Sequence, residues 1–490
     1  MTMTLQNAED QRSSSLLCGG AFEPLIRRLP DAWTAEYCFR RLSVQPGCVW
    51  LDSALPSAGL SRFSYLAADP IATIRVDQSH PDVLTRIGWY LQQSATEKLA
   101  GLPPMQGGWM GWFGYEMGSC FERIPCPQYN EFHLPMAALG MYDVVLSWDH
   151  DAGTGWLVSQ GWPAADHRGR QLRAYQRMQH FLDILEAPIE AEREGRPGNF
   201  RLHVDQLAPQ FATRWNNWTS NFSARQFRSS VSRCVEYIHA GDVFQVNLAQ
   251  RLLRPAGIDS ASLYMHLRQQ NPAPFAGYAD FGRVQVASAS PERFLQLQDS
   301  ELETRPIKGT RPRLSDPVAD AGMAQLLQAS VKDRSENTMI VDLMRNDMSR
   351  ISTPESVKVD KLCGIEKYPS VWHLVSVIRS QLQQHVTALD VIAATFPGGS
   401  ITGAPKIRAM QIISELEPTA RGPYCGSLGY ISCAGDMDLN ILIRTITVCD
   451  GWWQMPVGGG IVADSEPGLE EQETWHKAEG LLRAIDSIGV

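Results

Sequence analysis

VFQVNLAQRLL, residues 243–253, alternates in character: Phe244, Val246 and Leu248 fall on one side, and Gln245, Asn247 and Arg251 on the other. A period of two marks a strand whose faces see different surroundings, so this stretch predicts a strand with a wet or functional face. Upstream, Ser223 opens a run with Phe227, Val231, Cys234, Val235 and Ile238 at helical spacing, and Gly241 follows as a C′ residue. That predicts an amphipathic helix with both ends marked. Nearer the N-terminus, CVWLDSA (48–54), PIATIRV (70–76) and MAALGMYDVVLSW (136–148) are short, apolar and β-branched or aromatic, with turn residues nearby. They read as strands. Strands and helices mix without regular βαβ alternation, which predicts an α+β chain with large, mainly antiparallel sheets.

The 490 residues include 44 Lys and Arg against 53 Asp and Glu, a net charge of −9, and are 44% hydrophobic. That is apolar material for one large or two medium cores. No basic block exists to grip phosphate backbones, so nucleic acid is not an expected partner. The opening MTMTLQNAEDQRSSS lacks the basic and apolar regions of a signal peptide, and no apolar run approaches the ~18 residues that span a bilayer. The expectation is a soluble, cytoplasmic protein. Ten cysteines without a C-x-x-C pair suit reduced core residues rather than a disulfide scaffold or zinc ribbon. Asn217 and Asn221 each begin an N-x-[ST] triplet, which would matter only in a secreted chain. No fixed repeat, low-complexity tract or heptad is present. Residues 187–200, APIEAEREGRPGNF, lack periodicity and collect charge, Pro and Gly, as a linker does. The expected division is therefore 1–205 and 206–490.

Two glycine patterns do not qualify as nucleotide sites. Gly108, Gly111 and Gly114 are interleaved with tryptophans rather than opening a helix as G-x-G-x-x-G. In GGSITGAPK (398–406), Ala404 and Pro405 separate the last glycine from Lys406, and no Ser or Thr follows to hold magnesium. Cys425 in GPYCG lacks the nucleophile-elbow arrangement, so no glutaminase is expected in this chain.

Two acidic pairs carry more promise. Asp333 and Glu336 are three apart in KDRSEN, as are Glu470 and Glu473 in LEEQETWHK, with Lys477 four further on. On helices each pair projects from one face, and two such faces meeting would gather carboxylates suited to Mg²⁺. The same spacing also suits a solvated helix in which Lys477 pairs with Glu473. Glu292 in SPERF (290–294) and Lys308 in TRPIKGTRPR (304–313) sit at strand ends. They could serve as proton donor and nucleophile if burial keeps the lysine neutral, or form a surface ion pair. With an ordinary pKa near 10.4, only about one lysine in a thousand is neutral at pH 7. Arg444 lies in the apolar run LNILIRTITV, where an unpaired guanidinium is costly, so an anion is expected to meet it.

Together these stretches resemble the chorismate-utilising enzymes. GDVFQVNLAQR, ASPERF, TRPIKGTRPR, KDRSENTMIVDLMRND, FPGGSITGAPKIRAM, CGSLGY and GGGIVADS stand in the family's order, and the likeness covers nearly the whole chain. It is strongest to the ammonia-using members of the p-aminobenzoate branch of folate synthesis. The resemblance implies the α+β fold of anthranilate synthase component I, two antiparallel sheets in a sandwich flanked by helices, with a cleft in the C-terminal portion. It implies Mg²⁺ held by Glu336 and Glu473, with Asp333 and Glu470 outside them. It implies substrate contacts at Arg444, Tyr424, Gly460 and Lys477, and ring-facing positions at His373 and Ser400.

By the same resemblance, Lys308 stands where anthranilate-forming relatives carry alanine. It would add to ring C2 of chorismate while Glu292 protonates the departing C4 hydroxyl. Gln245 stands where isochorismate- and salicylate-forming relatives carry a lysine that activates water. The implied product is 4-amino-4-deoxychorismate, with ammonia supplied by a separate glutamine amidotransferase subunit in a heterodimer. Anthranilate formation and a silent tryptophan-binding regulator are the alternatives. WLDSA (50–54), SRFSYLA (61–67) and NPAPFAGY (271–278) resemble the family's tryptophan pocket, which implies contacts at Ser53, Ser61, Pro274 and Phe275, with Asp52 before the first serine.

Overall fold

A computed structural model describes residues 23–55, 60–77, 82–188, 202–368 and 371–489. The linker expected at 187–200 lies outside them beyond Pro188, as do the first 22 residues.

Two antiparallel sheets form the body. The larger has 13 strands and runs from the edge strand Leu25–Arg28 through Val49–Asp52, Phe275–Asp280 and Val284–Ser290 to Trp452–Ile461 and Gln245–Pro255. The smaller has ten. It runs from Ile307–Pro312 through Val371–Gln381, Arg293–Gln298 and Ser427–Ser432 to Gly108–Phe113 and Ala72–Val76. Each sheet takes strands from both sides of residue 205. That boundary therefore divides chain segments, whereas the sheets run across it.

MAALGMYDVVLSW is two strands. Ala137–Tyr142 joins the smaller sheet and Val144–Asp149 the larger. Asp143 between them is buried and ion-paired with Arg177 at 3.0 Å, which lets a charge sit at the crossing between layers. Gly108–Phe113 is a central strand hydrogen-bonded on both sides, which accounts for its glycines without any nucleotide.

The helix Ala224–His239 begins as its sequence dictates. Ser223 Oγ accepts from Gln226 N, the Gln226 side chain accepts from Ser223 N, and Phe227, Val231 and Cys234 face the core. Gly241 takes φ +85° just beyond its end. The strand after it is Gln245–Pro255, paired with Trp452–Ile461.

Its polar face is not wet. Gln245, Asn247 and Arg251 are all buried, whereas Phe244, just outside the strand, is 70% exposed. Arg251 on this face pairs with Glu131 at 2.5 Å, whereas Gln250, which points to the opposite face, bonds Ser220 and Thr474. Asn221 is spent likewise, on Thr419 and the backbone of Arg251.

One core cluster, with Trp109, Phe227, Val246, Ile340, Phe396 and Tyr424, lies beneath the cleft described next. Among the described residues no helix is long and apolar enough to cross a membrane. The nine described cysteines are all unbridged.

Candidate active site

Two helices bring the carboxylates in. Ser330 caps the helix Val331–Ser349, its hydroxyl accepting from Asp333 N, so KDRSEN occupies the first two turns. Pro467 opens the helix Pro467–Asp486, which places LEEQETWHK in its first three turns. A Cβ on Gly459 would lie 3.4 Å from Lys477 Nζ, 3.5 Å from Glu473 Oε1 and 3.6 Å from Glu470 Oε2. Three polar heads thus converge over that backbone. Lys477 pairs with Glu473 at 2.8 Å and donates to the Gly458 carbonyl at 3.0 Å. Glu470 accepts from Ser465 Oγ at 2.6 Å and faces Lys332 at 3.7 Å.

Glu336 sits across from them. Burial raises its carboxyl above the usual range against the pull of Lys308 and Lys332, and the charges of Asp333 and Glu473 push the same way as burial. For Glu473, burial also acts upward, but Lys477, Lys332 and Lys308 outweigh it and hold the group low. Asp333 pairs with Arg311 at 3.3 Å. Gly309 lies against it at φ +81°, where a Cβ would come within 2.8 Å of both Asp333 Cγ and Leu327 Cδ1. Among the described residues, no group of three or more His, Cys, Asp and Glu converges as a metal cage. The two facing carboxylates, Glu336 and Glu473, are what the geometry offers an oxygen-seeking cation.

Lys308, on strand Ile307–Pro312, donates to the Ser400 carbonyl at 3.2 Å. Burial lowers its pKa, against Glu336 and Glu292, which favour the charged form. Ser400 Oγ in turn donates to Glu292 Oε1 at 2.8 Å. Burial raises the Glu292 carboxyl against that bond and against Lys308. One serine therefore touches both the lysine and the acid, through its backbone and its hydroxyl.

His373 pairs its Nδ1 with Thr310 Oγ1 at 2.9 Å, and burial together with nearby Arg444 lowers its pKa to about 4. Arg444 is not in a strand. The apolar run breaks between Met437–Asn440 and Thr445–Cys449, and Arg444 turns out of it at φ +50° with its residue exposed. It makes no ion pair among the described residues; solvent reaches the side chain, yet the protein walls around its guanidinium desolvate it enough to lower its pKa. The cost of a guanidinium within a strand is thus avoided by the turn, and the charge is left facing the cleft beside His373.

Gln245 is 0% exposed, yet neither polar atom of its amide has a partner. It points at Gly460, where any Cβ would collide with Gln245 Nε2. Tyr424 lies beneath, buried, with its hydroxyl pushed well up by burial. A buried ion pair the sequence did not single out supports this floor. Arg421 binds Glu417 at 2.6 Å and donates to the carbonyls of Asn247 at 2.6 Å and Ile401 at 3.1 Å. Only its i,i+4 spacing was visible in the sequence.

The other expected pocket is a separate cavity of about 510 Å³. Ser53, Ser61, Pro274 and Phe275 all line it. Ser53 Oγ donates to the Phe63 carbonyl at 2.7 Å and Ser61 Oγ to the Leu55 carbonyl at 3.0 Å, so both hydroxyl protons are committed. Asp52 is held by Arg268 at 2.5 Å and Tyr264 at 3.0 Å.

This chain belongs to the chorismate binding enzyme family, matched over residues 48–483. Among its relatives, aminodeoxychorismate synthase component 1 of Klebsiella aerogenes is 40% identical over 94% of this chain and 97% of its own. Anthranilate synthase component 1 of Streptomyces coelicolor is 37% identical over 89% and 83%. The crystal structure of anthranilate synthase component I from Streptococcus pneumoniae superimposes with a TM-score of 0.72 at 28% identity, covering 94% of this chain and all of that one.

Proposed function

We propose that the protein converts chorismate and ammonia to 4-amino-4-deoxychorismate, serving p-aminobenzoate and folate biosynthesis, with ammonia released by a separate glutamine amidotransferase subunit. The observation that carries this over anthranilate formation is Lys308, desolvated and one serine away from the buried acid Glu292. The 40% identity to two aminodeoxychorismate synthases supports it.

The chemistry follows from which group holds the proton. Burial pushes Glu292 toward its protonated form and Lys308 toward its neutral form, each against the other's charge, and the proposed chemistry uses the pair with the proton on Glu292 and the lone pair on Lys308 Nζ. Lys308 attacks ring C2 as Glu292 gives its proton to the C4 oxygen, which leaves as water. Ammonia then adds at C4 and the lysine departs from C2, restoring both groups once a proton returns to Glu292. Ser400 keeps acid and nucleophile in register. Arg444, the Tyr424 region, the backbone at Gly460 and Lys477 supply the positive and donor surface for a dianion, and His373, neutral at pH 7, faces the ring. The buried, unpartnered Gln245 amide backs the Gly460 backbone behind the substrate surface, and it cannot act as a base.

Glu336 and Glu473 would hold Mg²⁺, with Asp333 and Glu470 behind them; two carboxylates with substrate oxygens and waters are a set this ion accepts. When bound, the ion draws charge toward the ring carboxylate. All these residues lie in the segment 206–490, proposed as the catalytic portion. The cavity at Ser53, Ser61, Pro274 and Phe275 is the proposed tryptophan pocket, shared between that segment and 1–205. Equilibrium dialysis with labelled tryptophan tests it, and no binding at millimolar ligand would remove it.

The deciding experiment is a product assay with chorismate, Mg²⁺ and ammonium, read by mass spectrometry before and after an aminodeoxychorismate lyase. A product that keeps its enolpyruvyl group and yields p-aminobenzoate only with lyase is expected. Direct release of pyruvate and anthranilate would overturn the role given to Lys308.

A further inference from the structure

The two faces of the site come from elements far apart in sequence, and one buried side chain joins them. Asn337 follows Glu336 on the helix Val331–Ser349 and is 0% exposed. Successive helical residues are about 100° apart, so as Glu336 meets the cleft Asn337 is turned toward the sheet. Its Oδ1 accepts a short hydrogen bond from Ser376 Oγ, three residues beyond His373 on strand Val371–Gln381. Its Nδ2 donates, at the long distance of 3.5 Å, to the Pro306 carbonyl, two residues before Lys308.

The junction is closed on every side. Ser376 N donates to the same Pro306 carbonyl at 3.2 Å. Ser376 Oγ accepts from Cys363 N at 2.9 Å, and Cys363 Sγ lies 3.5 Å from Asn337 Oδ1. With all of these groups buried, no water can take over a bond that is cut, and the orphaned partner must move or go unsatisfied.

We propose that Asn337 is a positioning residue: by tying its helix to the strands of Lys308 and His373, it fixes where Glu336 stands and thereby sets the divalent-cation affinity of the site. This rests on the reading of Glu336 as a metal ligand. A helix freed from the clamp carries Glu336 with it, and misplacement by about 1 Å at a site is enough to cost up to ~10²-fold.

Mn²⁺ is the probe, its binding followed by electron paramagnetic resonance on the whole protein with Ser376→Ala, Asn337→Ala and the double variant. Each single variant is expected to weaken Mn²⁺ binding about tenfold and to raise the Mg²⁺ needed for half-maximal turnover, with KM for chorismate at saturating Mg²⁺ changed far less. The loss in the double variant should be much less than the sum of the losses in the singles, because the Ser376–Asn337 bond is already lost in each of them. A role in folding alone would lower Tm and leave Mn²⁺ affinity untouched; a folded Ser376→Ala protein with wild-type Mn²⁺ affinity would overturn the clamp. If Asn337→Ala does not fold, Ser376→Ala, which leaves the helix unaltered, decides. Failure of the wild-type protein to bind Mn²⁺ would overturn the metal reading, and this proposal with it.

Discussion

Lys308 and Glu292 show how much of a residue's chemistry depends on its surroundings. Their types and strand-end positions are plain in the sequence, yet the sequence leaves open a solvated ion pair; the 3.2 Å and 2.8 Å bonds through Ser400, with burial, argue for an acid and a nucleophile. Lys308→Ala should therefore cut kcat by at least about 10²-fold, the scale of losing a positioned catalytic group, with KM for chorismate little changed. Steady-state kinetics with product identification checks this, and wild-type turnover would sink the nucleophile assignment. His373 carries a second prediction. Its folded pKa, near 4, lies below the ordinary value of about 6.5, so the unfolded chain binds more protons between these pH values. Stability then rises with pH in that window: it is fully present above about pH 6.5 and is lost as pH falls toward 4, by roughly 3 kcal/mol. Replacing His373 with Asn should flatten the dependence of Tm on pH between 4 and 6.5, and an unchanged slope would place the titration elsewhere.

At the scale of elements, the strand pair Gln245–Pro255 and Trp452–Ile461 is the most constrained part of the cleft. Asn247 stands opposite Gly460 in the register, and the Gln245 side chain fills the space a Cβ on Gly460 would need. Gly460→Ala should force Gln245 out of its place, raising KM for chorismate at least about tenfold, with a Tm loss of a few degrees. A crystal structure with Gln245 unmoved, or an unchanged KM, would contradict this. The sequence read these elements well, because the helix at Ser223 and the strand after it are written in neighbouring residues. Alternation left open whether the strand's polar face is wet or functional, and only packing shows Arg251 spent on Glu131 and Gln245 buried without a partner. Composition does not show that LNILIRTITV divides between two strands, with Arg444 at positive φ just before Thr445–Cys449.

For the whole molecule, the buried Arg421–Glu417 pair holds the strand of Asn247 and the loop carrying Ser400 together, with Glu417 also accepting from the backbone of Ala249. Side-chain exposures of 3% and 5% leave no solvent to screen a stranded charge. Glu417→Ala should destabilise the fold by about 3–5 kcal/mol, the cost of orphaning one member of such a pair. Thermal or denaturant unfolding measures it, and a loss below about 1 kcal/mol would show that Arg421 finds other acceptors.

Sequence alone determined the α+β class, the helix opening at Ser223, and the likeness to enzymes that bind chorismate, because caps, periodicity and motif order are properties of residues close along the chain. Tertiary structure alone decided that both sheets run across residue 205, that Ser400 couples Lys308 to Glu292, and that Asn337 is spent on Ser376 and Pro306. These facts depend on which distant segments share a desolvated space, and burial is set by packing of the whole chain rather than by any local stretch of it.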